Sequence, residues 1–317
     1  MRLCNTILVT GGSGFIGSAC VRFLLRLPLQ RRIINLDRLT YAATAHHPDD
    51  SRYRFVHGDI NDRPLVEAIC REEQVDTILH FAAETHVDRS IENAAPFLEA
   101  NVKGTLSLLE VVRTLPHIHF HHVSTDEVYG SLGPTGLFSE ESPYRPNSPY
   151  AASKAASDHF VRAYANTYQI STTISHCSNN YGPGQHPEKL IPRLISCALE
   201  GHPLPIYGTG HNIRDWLFVD DHIDAIWRIA RSGRPGETYD IGGDTERTNL
   251  QIAAEISQLL SQELQIQFVP DRPGHDYRYA INSSKIRREL NWRPSTDFSE
   301  GLRLTLDSTA CVYTNNP

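Results

Sequence analysis

Thr10-Gly11-Gly12-Ser13-Gly14-Phe15-Ile16-Gly17 lies between a β-branched run, Thr6-Ile7-Leu8-Val9-Thr10, and an amphipathic stretch through Ala19-Cys20-Val21-Arg22-Phe23-Leu24-Leu25. Strand, glycine turn and helix in that order open a nucleotide-binding βαβ unit. Glycines at 11, 14 and 17 let the chain turn sharply. They also bring bare N–H groups against a pyrophosphate at the helix N-terminus, where the dipole favours anions. A tight βα turn that binds nothing has the same glycines, so the next strand matters. Arg32-Ile33-Ile34-Asn35-Leu36-Asp37 ends in a carboxylate, which suits the ribose hydroxyls of NAD and repels the 2′-phosphate of NADP. Arg38 alone leans the other way, so NAD is the expected cofactor. Asp59 and Ile60 are expected near the adenine, and Phe81-Ala82-Ala83 leaves room for the cofactor beside the fourth strand.

Outward from this unit the alternation continues. Strands are expected at Tyr53–His57, Asp76–Phe81, His119–Ser124 and Thr172–His176, with helices over Arg63–Glu73, Phe97–Leu115 and Pro149–Tyr168 between them. Strict alternation implies a parallel sheet covered on both faces. After Asn180 the prolines at 183, 187, 192, 203 and 205 break the regularity. The fold class is therefore α/β, a doubly wound parallel sheet of Rossmann type with a smaller, loop-rich C-terminal substrate domain. The expected division is 1–178 for NAD and 179–317 for substrate, with segments around 215–245 returning to the first domain.

The chain has 317 residues, 40% hydrophobic and 21% charged, with a formal net charge of −7. That length supports a large core, and the acidic balance argues against a general nucleic-acid binder, so an anionic ligand must be held by local cations. No stretch reaches the roughly 20 apolar residues of a membrane span. Met1-Arg2-Leu3-Cys4-Asn5 runs directly into a strand with no leader-like apolar segment, and six scattered cysteines show no CxxC pair. A cytoplasmic protein with reduced thiols is expected.

Tyr150-Ala151-Ala152-Ser153-Lys154 puts a phenol and an ammonium at i and i+4 on one helix face. A neighbouring cation favours the phenolate, which makes Tyr150 a candidate base. Ser124-Thr125-Asp126-Glu127 ends the fifth strand, at the edge where doubly wound sheets bind ligands. Thr125 suits a substrate hydroxyl. Two adjacent carboxylates in a cleft do not ionise equally, so Asp126 and Glu127 are a candidate acid and base. A solvated acidic turn is the ordinary alternative.

These segments, with His80 to Ser90, Cys177 to Pro183, Pro187 to Pro192, Ile213 to Trp216 and Asp271 to Asp276, resemble the extended short-chain dehydrogenase/reductase family, in its branch of nucleotide-sugar 4,6-dehydratases. The resemblance implies dTDP-glucose as substrate and a three-step cycle. Tyr150, with Thr125 and Lys154, takes the O4 proton as the C4 hydride passes to NAD⁺. Glu127 removes C5–H while Asp126 protonates the leaving C6 hydroxyl, and the hydride then returns to C6. The implied cofactor contacts are Gly11, Gly14, Phe15, Ile16, Gly17, Asp37, Arg38, Leu39, Thr40, Asp59, Ile60, Phe81, Ala82, Ala83, Glu84, Thr85, Tyr150, Lys154 and Asn180. The implied substrate contacts are Thr85, Thr125, Asn179, Lys189, Leu190, Pro205, Ile206, Tyr207, Arg214, Asn249, Asp271, Arg272, Pro273, Gly274 and His275. Arg214 and Arg272 suit a diphosphate, which their forked donors grip bidentately. Departures are Thr85 for a usual Ser, Ala100 for a usual Thr, and Gly184-Gln185-His186 for a more aromatic segment beside the nucleotide.

The family also implies a homodimer, built by pairing Phe97–Leu115 and Pro149–Tyr168 with their copies into a four-helix bundle. UDP- and CDP-linked sugars remain alternative substrates. A 4-epimerase is set against by Asp126 and Glu127, and a non-catalytic NAD sensor by the presence of Tyr150 and Lys154. The histidines at 117, 119, 121 and 122 lack a matching carboxylate or cysteine cluster, so no metal is expected.

Overall fold

Ile7, Leu8 and Val9 have no exposed surface, because the strand they form is covered on both sides. The computed structural model describes residues 1–28, 31–44 and 47–315, with side chains placed as far as residue 311. In chain order the strands are β1 (Thr6–Thr10), β2 (Arg32–Asp37), β3 (Tyr53–His57), β4 (Thr77–His80), β5 (His119–Thr125), β6 (Thr172–Cys177), β7 (Asn179–Tyr181), β8 (Leu204–Tyr207), β9 (Ile213–Phe218), β10 (Thr238–Ile241), β11 (Glu246–Thr248) and β12 (Ile266–Val269). The helices are α1 (Phe15–Arg26), α2 (Arg63–Glu72), α3 (Val87–Glu92), α4 (Ala95–Phe97), α5 (Gly104–Thr114), α6 (Pro149–Tyr168), α7 (Leu190–Leu199), α8 (Val219–Ser232), α9 (Asn249–Leu260), α10 (Ser284–Leu290) and α11 (Phe298–Asn315).

The large sheet has the order β10-β6-β5-β4-β1-β2-β3, every neighbour parallel. The chain winds one way from β1 to β3 and the other way from β4 outward. Between β1 and β4 the connections diverge and leave a crevice at the carboxyl ends. Alternate residues of each strand feed two cores. Ile7, Val9, Ile33 and Leu79 pack with α1 and α8, whereas Leu8, Ile34 and Ile78 pack with α2 and α5. A third core joins α7, β8, β9, α9 and α11 through Leu194, Ile206, Trp216, Ile256 and Leu302.

Two features differ from the sequence expectation. The stretch expected as one helix over Phe97–Leu115 is α4, then a π-helical turn (Leu98–Lys103), then α5. The wide turn is tied down by Asn101, whose carbonyl accepts from Thr105 Oγ1 at 2.6 Å and Ser157 Oγ at 2.7 Å. Within 215–245, α8 and β10 join the large layer, but β9 pairs with β7 and β11 in a separate three-stranded sheet.

Candidate active site

The crevice is a cleft of about 300 Å³ whose walls combine the loops after β1, β2, β4, β5 and β6 with the start of α6. Gly11 adopts φ +73°, and a Cβ there would lie 2.6 Å from the Ala82 nitrogen. At Gly17 a Cβ would lie 2.1 Å from the Gly11 carbonyl oxygen, so α1 packs directly on the turn. Gly14 caps α1 with no side-chain hydrogen bond, leaving the first-turn N–H groups to a ligand.

Asp37 stands at the end of β2, where its carboxylate accepts from Ser13 N at 2.9 Å and Leu39 N at 2.8 Å. Arg38 is engaged by Asp59 at 3.2 Å and Glu84 at 2.8 Å, so it is not held out toward a 2′-phosphate. A bare glycine cradle at a helix start and a fixed carboxylate at the ribose position fit NAD. Asp37→Ala should weaken NAD binding by about tenfold or more, the scale of one lost charged hydrogen bond. In a binding titration NADP should lose less, and a greater loss for NADP contradicts the assignment.

Of the expected cofactor residues, Leu39 alone does not line this cleft. Its backbone turns through φ +54° and its N–H goes to Asp37.

The reacting groups come from two elements. Ser148 caps α6 by accepting from Ala151 N at 3.1 Å, and Pro149 occupies the first turn, a pairing that starts a helix sharply. Tyr150 therefore sits in the first turn of α6, with Lys154 one turn deeper, and both are buried. Across the cleft, β5 ends at Thr125 and a short 3-10 turn (Asp126–Tyr129) carries the two acids. Thr125 Oγ1 donates to Asp126 Oδ1 at 3.4 Å and accepts from Glu127 N at 3.3 Å.

Burial raises the Asp126 carboxyl well above the usual range, and Glu127 beside it raises it further. Glu127 is also raised by burial, but Arg272, Arg214 and Lys189 pull it back. The pair is thus split, with Asp126 pushed further toward its acid form than Glu127. Asp126 Oδ2 is buried with no protein partner, as a proton donor facing a ligand requires.

Lys154 makes no hydrogen bond with the phenol. Its ammonium donates to the Val123 carbonyl at 2.9 Å and lies 3.4 Å from His122 Nε2. The Tyr150 hydroxyl is accordingly held above its ordinary range by burial and by Glu127, with Thr125 pulling the other way. Burial lowers Lys154 to about 8.

On the substrate side, Thr85, Thr125, Asn179 and Lys189 line the cleft. Lys189 Nζ donates to the Thr85 carbonyl at 2.9 Å, and Asn179 Oδ1 is buried without a partner. Leu190 begins α7, and Asn249 is buried at the start of α9. Gly274 and His275 border a second hollow with Asn147 and Tyr277.

Asp271 Oδ1 lies 2.6 Å from His275 Nδ1, and Arg272, ahead of Pro273, donates to Asp88 Oδ1 at 3.4 Å. The buried Arg214 donates to the Asp276 carbonyl at 3.1 Å. Tyr207, two residues from Pro205, donates to Asp88 Oδ2 at 3.2 Å. Ile206 is a correction: its side chain is fully buried in the third core, so it packs instead of lining a base pocket, as the two-residue period of β8 demands.

Asn101 was missed by sequence reading. Its side chain accepts from Glu84 N at 2.8 Å and donates to the Glu84 carbonyl at 3.0 Å and Ser153 Oγ at 2.8 Å, fixing the β4 loop to α6. Tyr41 was missed as well. It donates to Glu188 at 3.0 Å across the cleft mouth.

The β5 histidines are spent on neighbouring hydroxyls: His119 and His121 face Ser171, Thr173 and Ser175. His122 points to the opposite face of the sheet, toward Lys154.

Residues 8–305 match the family model described as GDP-mannose 4,6 dehydratase. A dTDP-glucose 4,6-dehydratase of Xanthomonas campestris pv. campestris is 51% identical over 95% of this chain and 92% of its own length. The crystal structure of DesIV, a dTDP-glucose 4,6-dehydratase from Streptomyces venezuelae with NAD and dTDP bound, is 47% identical, has a TM-score of 0.93 and is covered over 98% of this chain and 97% of its own. A UDP-glucose 4-epimerase from Thermus thermophilus, solved with NAD, shares the fold at a TM-score of 0.90 but only 30% identity, over 96% of this chain and 99% of its own. Identity of about one residue in two over nearly the full length places this chain with the former group: it belongs to the dTDP-glucose 4,6-dehydratase family of extended short-chain dehydrogenase/reductases.

Proposed function

We propose that this chain converts dTDP-glucose to dTDP-4-keto-6-deoxyglucose with NAD as a cofactor that is regenerated in each turnover. The observation that carries the reading is one cleft lined by Tyr150, Asp126 and Glu127, with burial favouring the acid form of Asp126 more than that of Glu127. Gly11, Gly14, Gly17 and Asp37 would hold the cofactor, which when bound supplies a hydride acceptor for C4, a donor for C6 and a positive ring charge.

The protein's own groups move the protons. Tyr150, whose ionised form Thr125 favours, receives the O4 proton, and the ammonium of Lys154 offsets the charge of the phenolate that must precede it. The new 4-ketone acidifies C5–H. Glu127 takes that proton as Asp126 gives its own to the C6 hydroxyl, so that water leaves. Glu127 then returns a proton to C5. Lys189, Arg214, Arg272 and Asn179 are taken to hold the diphosphate and the sugar. Support comes from Asn179 Oδ1 and Arg272 Nε, both buried and lacking protein partners.

The division 1–178 and 179–317 is kept as the working description of cofactor and substrate domains, with α8 and β10 belonging to the first. A homodimer through the Phe97–Leu115 and Pro149–Tyr168 segments is supported by Leu98, Phe160 and Tyr168, apolar or aromatic side chains left exposed on them. No described helix is long and apolar enough to cross a membrane, which agrees with cytoplasmic work.

The test is incubation with dTDP-glucose and UDP-glucose in parallel, followed by NMR of the products. A 4-keto-6-deoxy product from the dTDP sugar at a kcat/KM at least tenfold higher is expected. Preference for the UDP sugar, or a C4 epimer from either, contradicts the reading.

A further inference from the structure

Tyr150, Lys154, Asp158 and Arg162 stand four residues apart on α6 and form one stripe leading from the cleft into the interior. The reaction as derived uses only the first two. Asp158 has no exposed side-chain surface, yet its carboxylate is crowded with partners. His176 Nε2 of β6 lies 3.0 Å from Oδ2, and His122 Nε2 of β5 lies 3.3 Å from Oδ1. Ser124 and Tyr144 each donate to Oδ2 at 3.0 Å. The other nitrogen of His176, Nδ1, lies 3.1 Å from Oδ1 of Asp240, its register neighbour on β10. A second buried carboxylate thus flanks the same ring.

Burial alone would neutralise such groups. Instead Asp158 is held well below the usual carboxylate range against burial, by the His122 and His176 rings beside it. Against burial too, Asp158 and Asp240 raise His176 to about 9. Burial and Lys154 lower His122 to about 4, so it is a neutral spacer. The ammonium of Lys154 feels Asp158 directly.

We propose that His176 is a positioning residue for Lys154: clamped between Asp158 and Asp240, it holds the Asp158 carboxylate in place and shares its charge with the lysine. The proposal rests on the dehydratase reading only for what Lys154 does in turnover. Other polar groups facing His176 are the hydroxyl of Tyr129, 2.7 Å from Nδ1, and that of Tyr144, 2.9 Å from Nε2. Arg162 of α6 acts through Tyr144, donating to its hydroxyl at 3.0 Å. Glu140 accepts from Asp240 N at 3.0 Å.

Two measurements test this. In the holoenzyme, the limb of activity that rises with pH ends at the Lys154 range near 8, because above it each phenolate gained costs an ammonium. His176→Asn leaves the Asp158 charge to Lys154 alone, so that limb should move up by about one pH unit, and Asp158→Asn should move it down by a similar amount. Independently of turnover, imidazole NMR should show His176 doubly protonated at pH 7.5. Lys154→Met should raise its midpoint further, because Asp158 then serves the histidine alone.

A uniform loss of activity with the limb unmoved overturns the proposal, as does a His176 ring that is neutral at pH 7.5 or indifferent to Lys154→Met. Failure of the dehydratase reading looks different. The wild type would make no 4-keto product while the His176 titration and its response to Lys154→Met stand.

Discussion

Glu127→Gln should cut dehydration by about 10²–10⁴-fold, the usual worth of a general base, and should stop solvent deuterium from entering C5. The amide is nearly isosteric, so the 3-10 turn and the Glu127 N–H bond to Thr125 are kept. What is lost is the proton acceptor. Arg272, Arg214 and Lys189 counter the burial that would otherwise keep Glu127 neutral, and none of them compensates for the missing basic oxygen. Tyr150 and Thr125 are untouched, so removal of the C4 hydrogen should survive the substitution. The check is NMR of sugar recovered from D₂O. Undiminished deuterium at C5 would remove Glu127 from the role of base and turn attention to Asp126.

Tyr150→Phe should be at least as damaging, about 10³-fold or more in kcat, because without the phenol no group is placed to receive the O4 proton. The fold should hardly notice. The phenylalanine keeps the aromatic ring beside Phe97, centroids 6.3 Å apart, and the backbone N–H bond to Ser90 Oγ at 3.1 Å. Only the hydroxyl goes, a loss of about 1 kcal/mol at most. Activity loss with a near-native melting temperature is therefore the expected result. A variant that retains more than about a tenth of wild-type kcat would show that another group takes the O4 proton. The high setting of the Tyr150 hydroxyl adds a sign: activity should rise with pH on the acid side, as the phenolate becomes accessible.

Much of the first half was legible because parallel strands buried on both faces are written as short β-branched runs. The strands from Thr6–Thr10 to Thr172–Cys177 fall within a residue or two of where those runs lie. The i, i+4 spacing correctly placed Tyr150 and Lys154 on one face of α6, but spacing says nothing of which acceptor a flexible ammonium chooses. Burial beside the Val123 carbonyl decided that.

The π turn was invisible for a similar reason. What holds it, Asn101 accepting from Ser157 and bridging Glu84 and Ser153, joins segments far apart in sequence. Asn179–Tyr181 pairs with β9 although three residues carry almost no strand signal. The histidines show the limit most clearly. Read along one strand they suggested only the question of a metal. The partners that give His122 its place, Lys154 and Asp158, come from a helix, and His176 and Asp240 from two other strands.

The central claim is that a single cleft takes the hydrogen from C4 of a hexose and delivers it to C6 of the same molecule. It is tested most directly with dTDP-glucose deuterated at C4, mixed with undeuterated substrate labelled with ¹³C. The account predicts deuterium at C6 of the molecules that began with it, none in the ¹³C population, and solvent hydrogen at C5. Deuterium lost to water, or shared between the two populations, would contradict it.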